Sequence, residues 1–151
     1  MIGRSEYHNV AGTRCATDFV EFPSVLMEHF VSSPDVIALS ARHYNTGHAL
    51  PQPIFASLLK ERSRFSALET SSQVMMAALD QAYHSSSVAD AAGAGAGKFD
   101  STALLAQTQA RYHVVPYAEG TAWQTQFGHL FGYGATYYSC LLYTSPSPRD
   151  S

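Results

Sequence analysis

The 151-residue chain holds 46% hydrophobic and 14% charged residues at a net charge of -3, enough apolar content for one domain with a core and too little charge for a disordered chain. Its nine Lys and Arg are scattered, so it offers no basic patch to nucleic acid or to an anionic membrane. No apolar run reaches the roughly 18 to 20 residues of a membrane span, and MIGRSEYHNV lacks the apolar centre of a signal peptide.

Past a turn at Ala11-Gly12-Thr13, apolar residues recur at Phe19, Phe22, Leu26 and His29 or Phe30, the spacing of an amphipathic helix over Thr17 to Val31. Pro23 fits either near the start of that helix or as a kink within it. Ser33-Pro34-Asp35 starts a short helix, about Pro34 to Tyr44, which Asn45-Thr46-Gly47 ends. A third helix is expected over Pro51 to Arg62, with Ile54, Leu58 and Leu59 on one side. A longer one follows over Phe65 to His84, where Leu68, Val74 or Met75, Leu79 and Tyr83 keep the period. SSSVADAAGAGAGKFD reads as a small-residue loop. Asp100-Ser101-Thr102 can cap a helix over Thr102 to Tyr112, and after the turn from Pro116 to Gly120 a last helix runs from Phe127 or Ala135 toward Leu142. With no alternating run longer than a few residues, the fold class is all-α.

Cys15 and Cys140 belong to no CxxC or Cys/His cluster, so neither a disulfide framework nor a structural zinc site is indicated. None of the seven histidines lies four residues before another, so no pair grips a metal from one helical face. GAGAGK fails as a phosphate loop, because Ala92 stands where a glycine is needed and Phe99 where a hydroxyl is needed.

The stretch DFVEFPSVLME sets Glu21 inside an apolar run, and burying an unpaired carboxylate costs several kcal/mol. Asp18, Glu21 and Glu28 fall on one half of the expected helix, at offsets of three and seven. They are either a solvated acidic face or a metal ligand, Glu21, with Asp18 and Glu28 orienting the groups around it. In FGHLFGYGATYYS, glycines 128, 132 and 134 are interleaved with His129, Tyr133, Tyr137 and Tyr138. Tyr133 and Tyr137 would share a face if the segment is helical. This is either an aromatic core bent by glycines or a substrate loop whose imidazole and phenols donate hydrogen bonds to a carbonyl gaining negative charge.

Four segments carry a resemblance: MIGRSEYHNVAGTRCATDFVEFPSVLMEHFVSSPDV, ARHYNTG, FDSTA and VPYAEGTAWQTQFGHLFGYGATYYS. In this order they resemble the zinc oligopeptidase family of thimet oligopeptidase and neurolysin, and within it the mitochondrial intermediate peptidases of fungal type. The resemblance spans most of residues 1–139. It implies a helical fragment of a zincin-like catalytic domain in which Glu21 is a ligand of Zn2+. The two HExxH histidines and the general-base glutamate would fall upstream of Met1, so the chain alone is expected to be inactive. His129 and Tyr137 carry over as oxyanion donors and Tyr133 as a substrate contact.

The implied substrates are peptides or imported precursor proteins, from which an octapeptide is removed in the mitochondrial matrix; nucleic acid and membrane are not implied partners. A cytosolic oligopeptidase of the same family is the alternative, and a non-enzymatic helical binding module is another. Relatives read YYSYL where this chain reads YYSCL, and Cys140 is a weak donor in place of a phenol. CLLYTSPSPRD is also the uninterrupted translation of a transposase-type sequencing adapter. Residues 1–139 are thus expected to be catalytic-domain sequence and residues 140–151 a non-native tail, in which Pro146 and Pro148 forbid a helix.

Overall fold

Gly12 turns the chain at a φ of 69°, a left-handed conformation that glycine adopts without a Cβ penalty, and α1, Thr17–Val20, follows. The computed structural model describes residues 4–86, 88 and 99–144, with side chains to residue 141. Most of the small-residue loop, GAGAGK included, and the end of the tail lie outside these residues. The chain divides into two compact units, Met1–Ser66 and Ala67–Ser151.

In the first unit the expected helix over Thr17 to Val31 is two helices, α1 and α2, Phe22–Val31, joined at Glu21. Pro23 occupies the first turn of α2, where a missing N–H breaks no hydrogen bond. The Glu21 carbonyl accepts from Val25 N–H at 3.2 Å and from the Ser24 hydroxyl at 2.9 Å. Helix α3, Pro34–Ser40, stops short of Tyr44. Beyond it, Arg42 and Ala49 form an antiparallel bridge, and the His43 Nδ1 accepts from the N–H groups of Asn45 at 3.3 Å and Thr46 at 3.2 Å. Those donors go to a turn instead of a helix. In α4, Gln52–Arg64, the buried side chain is Phe55, with Leu59 of the expected stripe half-buried four residues on, whereas Ile54 and Leu58 face solvent.

The second unit is built on α5, Ser66–Tyr83. Helix α6, Ser101–Tyr112, begins where Asp100 Oδ1 accepts from the N–H groups of Thr102 at 3.0 Å and Ala103 at 2.9 Å. The Tyr83 hydroxyl donates to the Ser101 carbonyl at 2.7 Å and the Ser71 hydroxyl to the Tyr112 carbonyl at 3.1 Å. Opposite ends of the two helices are thereby tied together, so they run antiparallel. Met75, Leu79 and Leu105 fill the space between them, each such burial stabilising by roughly 1.5–3 kcal/mol.

A second cluster, Ala77, Phe127 and Tyr137, seats the C-terminal segment. After a 3-10 turn, Trp123–Gln126, the earlier of the two expected starts gives only a short helix, α7, His129–Gly132, and the later one is nearer the observed last helix, α8, Tyr138–Thr144. Between α7 and α8 the chain turns through Ala135 at a φ of 61°, so Tyr133 and Tyr137 do not share a helical face. Helix α8 continues through Cys140 to Thr144, contrary to the expectation that the tail carries no helix, because the restraint of Pro146 reaches only the residue before it. Among the described residues no strand forms and no helix is long and apolar enough to cross a membrane; the fold is all-α.

Candidate functional site

Glu21 sits half-buried at the junction of α1 and α2, with Asp18 in the first turn of α1 and Glu28 in α2, both exposed. The flanking rings do not bury it: Phe19 is 49% and Phe22 39% exposed, stacked on each other at 5.7 Å. A groove of about 450 Å3 opens beside them, lined by Val10, Cys15, Phe19, Val20 and Pro23. Among the described residues no three His, Cys, Asp or Glu side chains converge to hold a metal. A carboxylate is a competent zinc donor, but zinc takes three or four protein ligands. The described residues therefore do not by themselves build a zinc site, and a lone Glu21 carboxylate could serve only as one donor of a larger set.

The second unit brings His129, Tyr133 and Tyr137 together. The His129 ring lies 5.7 Å from Tyr133 and 5.3 Å from Tyr137, the latter edge to face at 79°. Phe127 packs against His129 at 5.6 Å and against Tyr137 at 5.0 Å. His129 is exposed and Tyr133 half-buried, whereas Tyr137 is only 5% exposed and its hydroxyl donates to Gln73 Oε1 at 2.9 Å. Burial is the main force raising the Tyr137 phenol above its ordinary value; the nearby Cys140 adds to it, and the Gln73 bond opposes it. The phenol thus keeps its proton at neutral pH and acts as a donor. Cys140 packs against the same cluster.

Sequence reasoning missed Asp80. It is fully buried on α5, and its oxygens accept from Ala135 N–H at 2.9 Å and from Tyr137 N–H at 3.0 Å. His84 Nδ1 stands 3.0 Å from Oδ1 and 2.8 Å from the Asp80 carbonyl; both neighbours are acceptors, so this nitrogen carries the proton. The signal was available in MMAALDQAY, a carboxylate in an apolar run like the one at Glu21. A Cβ on Gly134 would lie 2.9 Å from the Leu130 carbonyl oxygen and from His84 Nε2, so this close passage of the turn requires glycine.

The sequence model of peptidase family M3 matches residues 1–144. Mitochondrial intermediate peptidase 2 of Cryptococcus neoformans var. neoformans serotype D is 57% identical over 142 residues, 94% of this chain and 16% of that protein. Mitochondrial intermediate peptidase 1 of the same variety is 54% identical, covering 94% of this chain and 18% of that protein. Mitochondrial intermediate peptidase of Malassezia globosa is 52% identical, with 94% and 17% covered. The chain spans about one sixth of the length of these curated relatives.

Proposed function

The chain belongs to peptidase family M3, and we propose that it is a segment of the catalytic domain of a zinc metalloendopeptidase that trims octapeptides from the N-termini of precursor proteins imported into the mitochondrial matrix. The observation that carries this reading is identity above half, over 94% of the chain, to fungal proteins named mitochondrial intermediate peptidase.

Glu21 would contribute one carboxylate to Zn2+, the other ligands coming from outside the described residues. When bound, zinc supplies a Lewis acid and a water of lowered pKa. Asp18 and Glu28 would orient groups around the metal. His129 and Tyr137 donate hydrogen bonds to the substrate carbonyl oxygen as it gains charge, Tyr137 exchanging its Gln73 acceptor for that oxygen, and Tyr133 contacts the peptide. Cys140 is a weak donor; we assign residues 140–151 to adapter-derived sequence, and a tyrosine at 140 would add a phenol beside Tyr137. The test is Glu21→Gln in the full-length protein. Zinc content falls, and cleavage of a peptide carrying a precursor N-terminus drops by about 10- to 100-fold. Unchanged zinc and rate would remove Glu21 from the site.

A further inference from the structure

We propose that Asp80 is the positioning residue of the turn between α7 and α8, clamping Ala135 and Tyr137 so that the Tyr137 phenol and the His129 ring meet at a fixed angle. The inference rests on reading those two side chains as donors to substrate. It starts from a cost: a fully buried carboxylate is unfavourable by several kcal/mol unless its oxygens are hydrogen-bonded. Asp80 meets that cost by bonding one oxygen to Ala135 N–H and the other to Tyr137 N–H, with His84 Nδ1 as a third donor at 3.0 Å.

The turn needs such a clamp. At a φ of 61°, Ala135 pays roughly 1–2 kcal/mol for its left-handed backbone, and such conformations persist only where surrounding contacts over-determine them. Here both polar groups of Ala135 are held from α5, its N–H by Asp80 and its carbonyl by Gln81 Nε2 at 2.8 Å. Gln73 holds the Tyr137 hydroxyl from the same helix, and Ala77 belongs to the same buried cluster as Tyr137. Residues 73, 77 and 80 follow one another at helical spacing, with His84 just past the end of the helix, so a single face of α5 is the template for the loop. Only a carboxylate suits position 80, since an amide offers one acceptor oxygen and would turn its NH2 toward the second donor.

The test is steady-state kinetics of the full-length protein on a peptide carrying a precursor N-terminus. Asp80→Asn is expected to lower kcat by about 10- to 100-fold with KM little changed, the signature of misplaced donors. Adding Ala135→Gly, which removes the left-handed penalty, is expected to restore a large part of that loss. A role in stability alone gives a lowered Tm with unchanged kcat and no rescue by glycine, and that result overturns the proposal. Should Asp80→Asn fail to fold, Gln81→Ala at an exposed position is expected to lower kcat by about two- to tenfold; an unchanged kcat there also overturns it. Tyr137→Phe separates the two readings. If it leaves kcat unaltered, the donor assignment itself fails, whereas a Tyr137→Phe loss without an Asp80→Asn loss sinks only the clamp.

Discussion

At Tyr83, burial first and the charge of Asp100 second push the phenol from its ordinary value of 10.0 up to about 12. The fold therefore favours the protonated form: its stabilising contribution is complete below pH 10 and is lost as the pH climbs toward 12. Tyr83→Phe is expected to cost about 0.5–1.5 kcal/mol at neutral pH through the lost bond to Ser101 and to flatten the alkaline loss of stability. Urea melts of both proteins across that window check it; parallel curves would exonerate Tyr83. At Gly134 an added methyl meets a backbone oxygen that cannot swing aside, so Gly134→Ala is expected to destabilise by about 1–3 kcal/mol, read as a fall in Tm, and an unchanged Tm would show that the turn has room. A carboxylate in an apolar run stands out at Glu21 and equally at Asp80, and it is Asp80 that the fold buries in full. Its partners are two backbone N–H groups contributed by a turn 55 and 57 residues away. No local pattern in MMAALDQAY names them.

Helices whose ends carry their own chemistry are the ones the sequence places well. Asp100 is an acceptor just ahead of an apolar-periodic run, and it caps α6 as its side chain dictates. Asp100→Ala is expected to cost about 1 kcal/mol of stability and to bring the Tyr83 phenol closer to its ordinary value, because the charge that helps raise it is gone. A spectrophotometric tyrosine titration together with a thermal melt checks both effects; an unmoved titration with a lowered Tm would leave only the capping role. The break at Glu21 was half legible: Pro23 announces either a helix start or a kink, and the choice is made by the chain resuming at Phe22. Of the stripe expected on α4, Leu59 is half-buried while Ile54 and Leu58 are exposed, because Phe55, at the same spacing from Leu59, takes the buried position. The end of α3 was hidden in a side-chain contact, His43 Nδ1 drawing two N–H groups into a turn. The His129–Tyr133–Tyr137 grouping was visible as a motif, while the direction of the Tyr137 hydroxyl, toward Gln73, is a tertiary fact.

On the scale of the whole chain, apolar side chains are buried unevenly. The second unit holds Met75, Leu79, Leu105, Phe127 and Tyr137 inside, whereas the buried hydrophobic of the first among the described residues is Phe55. Phe19, Phe22, Met27, Phe30 and Leu39 of the first unit lie exposed. Amide exchange of the 151-residue chain is therefore expected to be slow in the middle of α5 and α6 and fast through α1 to α3; uniform protection would contradict this unevenness. Under the proposed function, this M3 segment supplies Glu21 as one metal ligand and the His129–Tyr137 loop as donors, the other ligands coming from outside the described residues. The most direct test of this claim is zinc retention by the purified chain after gel filtration, with a peptidase assay in parallel. The account predicts no stoichiometric zinc and no cleavage; one tightly held zinc per chain with chelator-sensitive cleavage would contradict it.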